Sequence, residues 1–134
     1  MKRLMVAAAL FAAALLTPAV AEQELAGHRV ANEFVGNTIT GQYRDCGPRM
    51  DFFEYYDANG EIRGKERACN VTGDWSQYVG KWEVKDGKFC VYFSSGRASG
   101  CWSYTAITGG IRRQGSGGDM EYDLTILAEN PEHL

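Results

Sequence analysis

Lys81-Trp82-Glu83-Val84-Lys85-Asp86-Gly87-Lys88-Phe89-Cys90-Val91-Tyr92-Phe93 alternates apolar and polar side chains on both sides of a two-residue Asp-Gly step. Such a step between alternating segments predicts a type I′ hairpin, whose positive-φ turn matches the twist of the flanking strands. Fixing the turn fixes the register: Val84 faces Phe89, Trp82 faces Val91 and Glu83 faces Cys90. Carried through the turn-rich Ser94-Ser95-Gly96-Arg97, the pattern sets Phe89 opposite Trp102 and Cys90 opposite Cys101. Side chains alternate between the two faces of a sheet. One face of this meander therefore holds Trp82, Val84, Phe89, Val91, Phe93, Trp102 and Tyr104, and is expected to be interior. The other holds Lys81, Glu83, Lys85, Cys90, Tyr92, Cys101 and Ser103.

The same texture extends both ways. The chain has 16 glycines, about twice the usual share, and they punctuate short β-type runs. Thr38–Tyr43, Met50–Tyr56, Glu61–Ala68, Trp75–Val79, Trp102–Thr108, Ile111–Gln114 and Met120–Leu127 read as further strands. Asn59-Gly60 marks a turn between two of them. Seven or eight antiparallel strands at short spacing predict a sandwich or a closed up-and-down barrel. The barrel is favoured, because the hairpins follow chain order and closure removes unprotected edges. Residues 24–35 place Leu25, Val30 and Phe34 at helical spacing and predict one short helix stopping at Gly36-Asn37, with Gly27 weakening it.

The N-terminus has a different character. Lys2 and Arg3 precede an apolar run from Leu4 to Leu16, then Thr17-Pro18 and Ala19-Val20-Ala21. A basic start, short apolar stretch and A-x-A site are the parts of a cleavable secretory signal. The 13-residue run is short of the roughly 20 apolar residues a membrane span needs. Cleavage after residue 21 of the 134 leaves a single 113-residue domain, 22–134. Removing Lys2 and Arg3 takes the formal net charge from −3 to −5. With no basic run, nucleic acid is not an expected partner. No second apolar stretch is long enough for a span.

Cys46, Cys69, Cys90 and Cys101 all follow the signal. An even count in an exported domain predicts two disulfides, with three possible connectivities. Direct opposition of Cys90 and Cys101 across a hairpin, and the bracketing of Asp57-Ala58-Asn59-Gly60 by Cys46 and Cys69, favour Cys46–Cys69 and Cys90–Cys101. Structural zinc spacing is absent: there is no C-x-x-C, and His28 and His133 are the only histidines. No metal or cofactor is expected.

Gly36-Asn37-Thr38-Ile39-Thr40-Gly41, the run Phe52-Phe53-Glu54-Tyr55-Tyr56 leading to Asn59-Gly60, and Gly80-Lys81-Trp82-Glu83-Val84 followed by Asp86-Gly87-Lys88-Phe89-Cys90-Val91 resemble, in that order, a family of small exported proteobacterial proteins of unknown function. The resemblance covers roughly Val35 to Tyr104. It implies a periplasmic or secreted protein of a Gram-negative cell and supplies no catalytic residues. Gly80-Lys81-Trp82 is also similar to the G-x-W motif of lipocalins and other calycins. There the motif opens the first strand, whereas here several strands precede it, so only a similar architecture is implied.

Catalysis requires a nucleophile, base or metal in a tuned constellation. The sequence has no G-x-S-x-G, H-E-x-x-H, Walker loop or G-x-G-x-x-G. Neither histidine sits in a motif, and Gly115-Ser116-Gly117-Gly118 reads as a loop. Asp51 with Glu54 would be a conceivable acid–base pair. Asp119, Glu121 and Asp123 alternate along one strand and read as its solvated face. An enzyme is therefore not expected. The inward aromatic residues are the remaining lead. Most small barrels fill their interior, but some hold one small ligand, and Trp82, Phe89, Phe93, Trp102 and Tyr104 are the candidate lining. The expected function is a non-enzymatic periplasmic binding module for a small apolar ligand or an envelope component. The alternative is a protein-interaction factor, such as an inhibitor of an extracytoplasmic hydrolase acting through a loop at the barrel mouth; Tyr55, Tyr56 and Tyr78, expected to be exposed, are candidates for a protein interface.

Overall fold

The computed structural model describes residues 23–41, 52–67, 74–94, 99–115 and 121–134. Helix α1 (Gly27–Phe34) is followed by eight strands: β1 (Thr38–Gly41), β2 (Phe52–Tyr56), β3 (Glu61–Glu66), β4 (Ser76–Lys85), β5 (Lys88–Phe93), β6 (Gly100–Ile107), β7 (Gly110–Gln114) and β8 (Glu121–Leu127). Each strand pairs antiparallel with the next, and β1 pairs with β8, closing the sheet into a barrel in chain order. The signal-like segment, Cys46 and Cys69 lie outside the described residues, and so does the expected Cys46–Cys69 bridge. Among the described residues, no helix is long and apolar enough to cross a membrane.

The Asp86-Gly87 turn adopts positive φ at both residues, 50° and 76°, as a type I′ turn requires. The resulting register is the expected one: Val84↔Phe89, Trp82↔Val91, Glu83↔Cys90, then Phe89↔Trp102 and Cys90↔Cys101. Cys90 and Cys101 are joined by a disulfide on the outer face, where Cys90 is buried and Cys101 exposed. One member of the expected interior face is misplaced. Val84 is 43% exposed, because it lies at the turn end of the β4–β5 hairpin, where Lys85 to Lys88 are all exposed.

Glycines explain the other departures from the sequence reading. Gly80 does not separate two strands; it lies within the ten-residue β4. A Cβ there would come within 2.7 Å of the Phe93 ring and the Tyr92 carbonyl oxygen, so its bareness admits Phe93. Gly27 does not interrupt the helix but begins it. Its N–H donates to the Gly87 carbonyl at 2.8 Å, and a Cβ would sit 2.6 Å from the Lys88 carbonyl carbon. The helix thereby docks on the β4–β5 turn and lays Val30 and Phe34, both fully buried, over one end of the barrel. An eight-residue helix would be marginal alone; here Phe34 holds it, packing on Tyr56, Phe89 and Tyr104 at centroid distances of 5.2, 5.4 and 5.6 Å. The C-terminal segment is tied to the outer surface of the sheet: Thr38 donates to the Glu129 carbonyl (2.8 Å) and Lys65 pairs with Glu132 (3.0 Å).

The Cys90–Cys101 bridge joins strands already paired, so its effect is on stability and not on register. Replacing both cysteines by serine is expected to cost about 2–4 kcal/mol in urea unfolding while leaving the β circular-dichroism signal intact.

Candidate functional site

Two places at the barrel's interior and its helix-capped end combine polar groups with apolar walls. The first begins on β2, where Phe52, Glu54 and Tyr56 alternate inward. The sequence reading missed Glu54 as an interior residue, although its position in phase between Phe52 and Tyr56 carried that signal. Glu54 is fully buried. Its cross-strand neighbour on β3 is Gly64, and the next on β4 is Tyr78. A Cβ at Gly64 would collide with the Tyr78 ring, so the glycine lets that ring lie across β3 and reach Glu54. The Tyr78 hydroxyl donates to Glu54 Oε1 at 2.8 Å and the Tyr56 hydroxyl to Oε2 at 2.6 Å. Both carboxylate oxygens are thus bound by phenols.

Arg113 completes this centre from β7. It follows the inward Ile111 by two residues and faces Tyr104 across β6. Its Nη2 donates to the Tyr56 hydroxyl at 3.2 Å and lies 3.6 Å from Glu54 Oε2. Its guanidinium carbon lies 5.6 Å from the Tyr104 ring centroid and 5.9 Å from that of Trp102. A buried charge requires a counter-charge, and Glu54 provides it. Burial disfavours the Arg113 charge, but Tyr104, Tyr56 and Glu54 together outweigh this and hold the guanidinium above its ordinary value. Burial, reinforced by the Glu54 charge, pushes the Tyr56 phenol well up. Burial also raises Tyr104, against the opposing pull of Arg113.

The five aromatics picked out from the sequence all line this interior. Phe89, Trp102 and Tyr104 are core residues, with Trp82 and Phe93 packed against them. Trp82 stacks on Phe89 (5.7 Å, 16°) and donates its Nε1–H to the Asp57 carbonyl at 2.9 Å. Phe93 meets Tyr78 edge-on. The expectation of exposed Tyr56 and Tyr78 is overturned. Both are buried, because β2 and β4 turn these positions inward to Glu54. Glu54 likewise serves no exposed acid–base pair, and Asp51 lies outside the described residues. Asp119 and the Glu121 side chain also lie outside them, while Asp123 is exposed and paired with Arg112 at 2.8 Å. His28 and His133 are exposed. Among the described residues, no group of three or more His, Cys, Asp or Glu could hold a metal ion.

The second place is a cleft of about 350 Å³ between α1, the β6–β7 hairpin and β8. Leu25, Ala106, Ile111 and Ile126 supply apolar lining, and Arg29 and Glu33, one helical turn apart, add a charge of each sign. This cleft leaves no trace in the sequence, since its walls come from three stretches far apart in the chain. No family model, curated protein or solved structure matches the chain.

The buried pair has two measurable consequences. Glu54→Ala leaves Arg113 without its counter-charge and is expected to destabilise the barrel by about 3–5 kcal/mol in chemical denaturation. The raised Tyr56 and Tyr104 phenols contribute stability that is full below the unfolded tyrosine pKa of about 10. It is lost as pH climbs through the higher folded values. The melting temperature should therefore fall above pH ~10, and more shallowly in Tyr56→Phe, when followed by differential scanning calorimetry.

Proposed function

We propose that the domain is an exported, non-enzymatic binding module of the Gram-negative periplasm or exterior, and that it takes up a small apolar ligand in the cleft beside α1. The observation that carries this reading is the cleft itself. Its volume of about 350 Å³ falls at the small end of the usual range of roughly 300–1,000 Å³ for ligand pockets. Its floor is aliphatic, and its two charged side chains stand on one face of the helix, suited to a polar end of the same ligand. Leu25, Ile111 and Ile126 cannot do acid–base chemistry, and Glu54, Tyr56 and Tyr78 are committed to one another.

A protein-interaction role has one specific observation in its favour. Outward on β2 and β3, the Lys65 ammonium lies 5.3 Å from the Phe53 ring centroid and 5.2 Å from that of Trp75, and Arg67 lies 4.4 Å from Trp75. Aromatic and arginine side chains are enriched at protein interfaces.

Ala106 is exposed at the cleft wall, so Ala106→Trp fills the space without disturbing the core. The fluorescent apolar probe N-phenylnaphthylamine is expected to bind the protein saturably, to be displaced by decanoate, and to bind Ala106→Trp at least tenfold more weakly at unchanged melting temperature. Equal binding by the variant, or none by the wild type, would sink the ligand reading and favour the outward aromatic surface.

A further inference from the structure

Arg29 and Glu33 stand four residues apart on α1, a spacing that sets them on one face of the helix, and both line the cleft of about 350 Å³. Among the described residues they are the only ionisable groups of its lining. Neither sits where a helix on its own would put it. Arg29 is the third residue of α1 and Glu33 the seventh of its eight. The helix dipole favours acidic side chains in the first turn and basic ones in the last, and α1 has neither. Arginine four residues ahead of glutamate is also the less favourable order for a pair along a helix. Both residues are exposed, and among the described residues neither side chain has an ion-pair or hydrogen-bond partner. These two charges oppose the helix that carries them and gain nothing from the rest of the chain. Such local conflicts are expected at functional sites.

On the premise that this cleft takes up a ligand, we infer that its occupant is zwitterionic: an amino acid with an aliphatic side chain, its ammonium and carboxylate held at the helix. The rim discriminates among head groups. A lone carboxylate is attracted by Arg29 and repelled by Glu33, and a lone ammonium the reverse, so each gains little. A head bearing both charges satisfies both. The planar guanidinium donates two N–H bonds to the carboxylate, and the Glu33 carboxylate accepts from the ammonium. An uncharged head leaves the two rim charges beside an apolar ligand, stripped of part of their water without a partner. Residues four apart on a helix have Cβ atoms about 5–6 Å apart, so two charges on one carbon of the ligand can reach both. The aliphatic tail then lies on Leu25, Ile111 and Ile126. Exposed ion pairs are individually weak, so the tail supplies most of the affinity and the head supplies the preference.

Three ligands with matched tails read the rim: α-aminodecanoate, decanoate, which lacks its ammonium, and nonylamine, which lacks its carboxylate. Each is titrated near neutral pH against N-phenylnaphthylamine bound to the oxidised, exported protein. The amino acid should displace the probe at a concentration at least about threefold lower than either relative needs. Glu33→Gln should abolish its advantage over decanoate, and Arg29→Gln its advantage over nonylamine. Each substitution removes an exposed charge that the helix dipole opposes, so neither variant should melt below the wild type. Equal displacement by all three ligands, or an advantage that survives both substitutions, overturns the zwitterion and leaves the apolar cleft standing. A lower melting temperature in either variant would show its charge serving the fold, and overturns the zwitterion equally. Failure of the probe to bind the wild type removes the cleft and this occupant together.

Discussion

Pairing of β1 with β8 turns eight short strands into a surface without edges, and every other feature follows from that closure. A closed sheet of this size has an interior just wide enough for side chains. Whatever alternates inward must therefore fit with whatever alternates inward from the opposite wall. Glycine at Gly41, Gly64 and Gly80 meets this demand: at each, a Cβ would run into an aromatic ring reaching over from a neighbouring strand, Phe52, Tyr78 and Phe93 respectively. Large rings and bare glycines are paired across strands, so the barrel packs its interior by alternating bulk with absence.

The polar centre is a consequence of the same geometry. Glu54 and Arg113 come from strands that are not neighbours in the sheet, and their approach within the lumen ties opposite walls together. A buried ion pair is weak evidence of stability, since desolvation offsets most of the attraction. What it does supply is orientation. Two phenols fix the carboxylate, and the carboxylate with the Tyr56 hydroxyl fixes one end of the guanidinium.

Much of the fold was legible because its signals are local. Asp86-Gly87 with alternating flanks specified a hairpin, and that hairpin specified the register of three strands and the Cys90–Cys101 bridge. The helix was legible from the spacing of Val30 and Phe34. Less legible was everything that depends on contact across the barrel. Gly80 looks like punctuation unless Phe93 is known to lie against it, and Tyr78 looks like a surface tyrosine unless Gly64 is known to stand beside it. The candidate aromatics were correctly placed on one face, but alternation carries no information about which inward residues meet. The partnership of Glu54 with Arg113 spans 59 positions of sequence, and neither residue type is expected inside.

The helix divides the interior in a way that bears on what can enter it. Phe34 sits on Tyr56, Phe89 and Tyr104, so the rings nearest the capped end already have an occupant belonging to the chain. An apolar ligand approaching from that end meets the flank of α1 before it meets the aromatic core, and the aliphatic cleft formed by Leu25, Ala106, Ile111 and Ile126 lies there. Beneath Phe34 the interior is aromatic, and Tyr56 there joins the hydrogen-bonded pair of Glu54 and Arg113. One short helix, seated by the absence of a side chain at Gly27, thus both covers the aromatic core and supplies one wall of the cleft.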